Sequence, residues 1–110
     1  MSDAALRERT RQFLEEPLLG EQDLDTKVCL LLEAEYLRRL RQYRRADRLL
    51  TQKYRMTFEE FVARWVAQRE GYTWDVETDA MDWETAVAGM TTTKRKIKEL
   101  RDPMSGRPPT

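Results

Sequence analysis

Histidine is absent from the sequence, which removes the commonest metal-binding side chain and the usual proton carrier at neutral pH. A single cysteine, Cys29, excludes an internal disulfide and a thiolate metal cluster; beside leucines on a helix it reads as a small buried hydrophobe. No charge of one sign dominates: 20 basic residues face 20 acidic ones, so bulk charge does not draw the chain to nucleic acid. The longest apolar run is Val28–Leu32, far short of the roughly eighteen residues a membrane span needs. The opening MSDAALRERTRQFLEE is charged throughout and lacks the apolar core of a secretory leader. There is no glycine-rich phosphate loop, serine nucleophile motif or zinc-ligand spacing. The expectation is a cytoplasmic, non-enzymatic protein with no cofactor, no metal and no membrane partner.

Glycine and proline are scarce too, four of each, with three of the prolines in the last eight residues. The rest is left free to form long helices, and the expected fold is all-α, with three to four helices in one domain over residues 1–101. Pro and Gly in 102–110 argue for a disordered tail. The first helix spans Ser2–Glu16, with Leu6, Thr10, Phe13 and Leu14 at helical spacing, ended by Pro17 and Gly20. A dominant amphipathic helix runs from about Leu24 to Tyr54. On it Val28, Leu32, Tyr36, Leu40, Tyr43, Leu50 and Tyr54 form a packing seam at steps of three and four, with Asp47 filling the one empty turn. That spacing serves a homodimer seam (Leu32, Tyr36, Leu40, Tyr43, Leu50, Tyr54) and an intrachain hairpin equally well; its length favours the dimer. Thr57 and Glu60 match a capping box that opens a third helix, ended at Gly71.

After Gly71 the apolar period shortens to two: Tyr72, Trp74 and Val76 alternate with Thr73, Asp75 and Glu77. This predicts a short extended segment before a last helix, capped at Thr78 or Asp79 and carrying Trp83, Val87, Met90, Ile97 and Leu100.

Charge is laid out in blocks. Residues 36–56 hold eight basic and one acidic side chain, residues 57–88 two basic and eight acidic, and the remainder six basic and two acidic. Such blocks pair with each other or with a partner. Two candidate surfaces emerge. In the first, Trp74, Met81, Trp83 and Tyr72 lie among five carboxylates, Asp75, Glu77, Asp79, Asp82 and Glu84, a pattern suited to docking a basic protein partner. A calcium loop is excluded there, because Ala80 and Ala86 stand where such a loop needs glycine and glutamate. In the second, Arg38, Arg41, Arg45 and Arg48 form a stripe on the long helix that could track phosphates, although nothing resembles a base-reading helix. The blander alternatives are an ordinary aromatic core for the first and a solvated helix face for the second.

From Leu30 to Leu100 the chain resembles a group of small uncharacterised helical bacterial and archaeal proteins marked by a KYGM-like turn, then FEEF, then a Trp-Glu pair. The residues that carry the likeness are Lys53, Tyr54, Met56, Phe58, Glu59, Phe61, Trp74, Trp83 and Glu84, in KYRMTFEEF and YTWDVETDAMDWETA. Arg55 stands where that group has glycine. Many of the group are encoded beside a small toxin-like protein and are regarded as antitoxins. The resemblance therefore implies a protein that binds and neutralises a basic partner, with a helical nucleic-acid-binding subunit as the alternative.

Overall fold

The computed structural model describes residues 6–16, 23–68, 71 and 73–102. Four helices follow in order: α1 (Glu8–Leu14), α2 (Leu24–Tyr54), α3 (Phe58–Gln68) and α4 (Trp74–Arg101). The all-α expectation holds, and no strand occurs among the described residues. No described helix is long and apolar enough to cross a membrane. The chain divides at Ala34 and Glu35 into two compact units, each with its own packing.

The first unit contains α1 and the start of α2. α1 is shorter than expected: it begins at Glu8 behind Arg7, which supplies no side-chain cap, and Ser2, Pro17 and Gly20 lie outside the described residues. Leu14 is its buried apolar residue, and Arg9 lies over the Phe13 ring at 5.9 Å. α2 begins where expected, because the Asp23 carboxylate accepts a hydrogen bond from the Thr26 amide at 2.8 Å and satisfies one of the open donors of the first turn. Cys29 is half-buried rather than buried.

The second unit carries the core. α2 runs without interruption to Tyr54, its composition of Leu, Arg, Glu, Gln and Ala being strongly helix-forming. Arg55 then takes a left-handed conformation, φ 54°, which ends the helix at a position that favours glycine. Thr57 starts α3: its Oγ1 accepts from the Glu60 amide at 3.2 Å. The return arm of the box differs from expectation, since the Glu60 carboxylate accepts from the Thr57 hydroxyl at 3.2 Å.

The expected extended segment is not there. Thr73 is the N-cap of α4, its hydroxyl accepting from the Val76 amide at 3.4 Å, and Trp74, Asp75, Val76 and Glu77 form the first turn. Tyr72 lies outside the described residues. The packing stripe explains the difference. Val76, Asp79, Trp83, Ala86, Met90, Thr93 and Ile97 recur at steps of three and four, and all are buried or half-buried. A helix starting at Thr73 places Val76 and Asp79 on that stripe, which a strand would not.

α4 runs antiparallel to the second half of α2. Partners fall in opposite order along the two helices: Lys96 lies over the Tyr36 ring at 5.8 Å, Gly89 meets Tyr43, the Trp83 indole N–H donates to Asp47 at 2.8 Å, and the Tyr54 hydroxyl donates to Asp79 at 2.5 Å. The approach at Gly89 is close enough that a β carbon there would lie 2.6 Å from Cε2 and Cζ of Tyr43. Trp83 is fully buried, in contact with Tyr54, Phe58 and Phe61 at ring separations of 5.9, 5.5 and 5.1 Å. Three helices thus meet on one indole.

Candidate interaction surfaces

The part of the first sequence candidate that lies in α4, from Trp74 to Glu84, divides between the core and the exposed side of that helix. Trp83 and Asp79 belong to the core. Trp83 has no exposed surface, so it is not the docking anchor the sequence made it. Asp79 accepts from Tyr54 and pairs with Lys53 at 2.6 Å; these two hydrogen bonds, first that of Lys53 and then that of Tyr54, hold its carboxyl below the ordinary aspartate range.

Across the half of the helix turned away from Trp83, roughly 100–220° around from it at 100° per residue, stand Trp74, Glu77, Thr78, Met81, Glu84, Thr85 and Ala88, and every one is exposed. Trp74 is 78% and Met81 70% exposed. Seven residues apart, these two side chains lie one above the other, about 10 Å along the axis. Glu77 and Glu84 repeat at the same interval beside them, and Asp75 and Asp82 are exposed on the adjoining flank. Two exposed apolar anchors, Trp74 and Met81, framed by four carboxylates, Asp75, Glu77, Asp82 and Glu84, therefore survive from the expected site.

The seam residues are placed by the antiparallel pairing. Leu40 is buried, Tyr36, Tyr43, Leu50 and Tyr54 are half-buried, and the three tyrosines meet residues of α4 or α3 in the same chain. From Tyr36 to Tyr54 the seam is therefore intrachain, and the reading as a dimer interface is corrected there. The empty turn at Asp47 is explained as well, since its carboxylate is the acceptor for the core indole. Leu32, in the first unit, is 43% exposed.

The arginine stripe is also redrawn. Arg38 is held by Glu35 through two hydrogen bonds, 2.9 Å from Nε and 2.5 Å from the terminal nitrogen, and Arg39 joins them at 3.1 Å. The Arg38 and Arg39 hydrogen bonds lower the Glu35 carboxyl to about 2. Arg41, Arg45 and Arg48 instead line a depression with Arg44 and Leu49. Arg44 also lines a neighbouring groove between α2 and α4, where Lys94, Lys98 and Arg101 stand above Leu40 and Ile97, with Leu37 and Asp102 at its edge. The α4 cations were missed in the sequence, although the basic final block carried the signal. That block was expected to pair with another block or with a partner; Lys96 within it lies over the Tyr36 ring, where the basic stretch of α2 begins. Among the described residues one ion pair, Lys53–Asp79, joins the basic stretch of α2 to the acidic stretch of α4.

No group of three or more metal-ligating side chains occurs among the described residues. Compared with family models, with curated proteins and with solved structures, the chain has no significant match.

Proposed function

We propose that this chain is a non-enzymatic protein-interaction module that binds a basic partner protein through the exposed face of α4. Trp74 and Met81 insert into the partner while Glu77, Glu84, Asp75 and Asp82 meet its positive charges. The observation that carries the reading is the exposure of these two large apolar side chains on the face opposite the core, ringed by carboxylates. Aromatic and thioether side chains of this kind are enriched at the centres of interfaces, and complementary charge around them sets encounter rate and partner choice. The resemblance of KYRMTFEEF and YTWDVETDAMDWETA to antitoxin-like proteins supports a toxin-like protein as that partner, neutralised by being bound.

The test is size-exclusion chromatography with light scattering on the chain alone and mixed with the product of the adjacent gene. A stable complex is expected, lost in a Trp74→Ala/Met81→Ala variant whose far-UV circular dichroism and melting point match the parent. Both positions are exposed, so each replacement is expected to change stability by no more than about 0.5 kcal/mol. Undiminished capture by that well-folded variant would show that this face is not the docking surface.

A further inference from the structure

We infer that the free chain pairs with a second copy of itself through the exposed face of α4, the two helices lying antiparallel and crossing at Ala88, so that a partner for that face must displace the copy. The pairing stands on the charge and exposure of α4 alone. Its role in regulating docking rests on the partner-binding reading of the same face.

The exposed face continues well past Met81. Thr78, Met81, Thr85, Ala88, Thr92 and Arg95 succeed one another at steps of three and four, and all six are exposed. The first half of the helix also repeats itself after seven residues, Trp74-Asp75-Val76-Glu77-Thr78 returning as Met81-Asp82-Trp83-Glu84-Thr85. A seven-residue period keeps one side of a helix turned toward one neighbour along its length, the geometry in which helices pair. Charge specifies that neighbour. From Trp74 to Ala88 five side chains are acidic and none is basic, whereas from Gly89 to Lys98 four are basic and none is acidic. A basic occupant therefore suits only the first half of the face and is repelled along the second. An occupant that changes sign at the middle matches the whole of it, and a second α4 laid antiparallel is such a surface by symmetry. A parallel copy would set acid against acid and base against base.

Symmetry also sets the register. The face is narrowest at Thr85, Ala88 and Thr92, whose small side chains let two backbones approach, so the two-fold axis passes Ala88. Glu77 then lies opposite Lys98 of the second copy on one flank, and Asp82 opposite Lys96 of the second copy on the other; the axis makes each pair occur twice. Met81 lies along the aliphatic stem of the second copy's Arg95, and Trp74, one turn beyond Glu77, covers the last turn of the other helix. Glu77, Asp82 and Lys98 are exposed, with no ion pair within the chain among the described residues, and Lys96 is exposed although it lies over the Tyr36 ring at 5.8 Å. Exposed ion pairs contribute little singly, so four of them select an orientation without locking it. The copy is held reversibly and gives way to a partner that buries Trp74 and Met81 more completely.

Sedimentation equilibrium on the full chain, over a concentration series at low and high salt, tests the pairing. A monomer–dimer equilibrium that weakens as salt rises is expected. Glu77→Lys and Lys98→Glu each set two like-charged pairs in the dimer and are expected to weaken it at least about tenfold. Glu77→Lys/Lys98→Glu reverses both members and is expected to restore it, a rescue that only an antiparallel pair in this register gives. Asp82→Lys with Lys96→Glu repeats the cycle on the other flank should the first set disturb the fold, as read by far-UV circular dichroism. A monomer at every concentration, a dimer indifferent to the single reversals, as pairing through the exposed Val28, Leu31 and Leu32 of α2 would be, or loss without rescue would each overturn the proposal. Docking is read separately. Lys98→Glu leaves Trp74, Met81 and their carboxylates in place, so it is expected to capture the product of the adjacent gene more tightly than the parent, with the advantage fading as the parent is diluted to monomer. Equal capture at all concentrations would overturn the displacement, and no capture by either protein would sink the docking reading while leaving the pairing in place.

Discussion

The indole N–H of Trp83 donates to the half-buried Asp47 carboxylate at 2.8 Å, across 36 residues of sequence, at the edge of an aromatic core. A fully buried indole needs an acceptor, and the seam of α2 gives up an apolar position to supply one. Asp47→Asn keeps an acceptor oxygen and is expected to fold with little loss. Asp47→Leu leaves the N–H buried and unpaired, which costs about 1–3 kcal/mol. Urea melts of both, repeated in a Trp83→Phe background, check the assignment: the Asp47→Leu penalty is expected to shrink when the donor is gone.

Gly89→Ala sets two magnitudes against each other. Alanine gains about 1 kcal/mol in helix propensity, while the new methyl would sit 2.6 Å from the Tyr43 ring. Overpacking of this kind typically costs about 1–3 kcal/mol, so a net loss is expected. In a Tyr43→Ala background the clash is removed and the same substitution is expected to stabilise. Thermal melts of the four proteins read the change of sign.

Arg55 occupies a left-handed conformation that L-residues with a β carbon adopt at a cost of about 1–2 kcal/mol. Glycine removes that strain but gives the unfolded chain more freedom, which takes back part of the gain. Arg55→Gly is expected to stabilise by about 0.5–1 kcal/mol in denaturant melts, whereas Arg55→Val, β-branched at the same φ, is expected to destabilise.

Acid exposes the second contact between α2 and α4. The Asp79 carboxyl is depressed in the folded state by Lys53 and Tyr54, so the stability it contributes is complete above the ordinary aspartate range near 3.8 and is lost as pH falls through the lower folded value. Glu35, lowered from 4.5 to about 2, follows the same sign over that window, though as an exposed group it adds a salt-sensitive share. Asp79→Asn is expected to be less stable than the parent at pH 7 and to show a smaller further loss between pH 5 and pH 2, measured by denaturant midpoints.

Most of this helical arrangement could be read directly from residue spacing. Uninterrupted helix-forming composition placed α2 at its observed bounds, and Thr57 with Glu60 marked the start of α3. The failure at Trp74–Glu77 has a physical reason. Tyr72, Trp74 and Val76, aromatic or β-branched and alternating with the polar Thr73, Asp75 and Glu77, fit a strand, and Thr73 lacks the glutamate three positions later that makes a capping box conspicuous. The helical stripe that overrides this alternation is concealed by its own composition, because Asp79, Ala86 and Thr93 do not look like core residues. Asp79 takes its place through a tyrosine hydroxyl 25 residues away, which is not a local signal. The candidate site was half visible for the same cause: the sequence showed aromatics among acids, but only packing decides that Trp83 faces inward while Trp74 and Met81 face out.

The short turn at residues 55–57 also orders events in time. Tyr54 and Phe61, whose rings lie 5.0 Å apart, sit on either side of it and meet by closing a loop that takes on the order of 10–100 ns. Trp83 must arrive from far along the chain and docks onto a surface the turn has prepared. Substitutions at Phe61 are thus expected to slow folding, and those that disturb only the Gly89 crossing to act chiefly on the rate of unfolding. A residue that resists its own backbone conformation, Arg55, therefore stands in the turn that brings Tyr54 and Phe61 together.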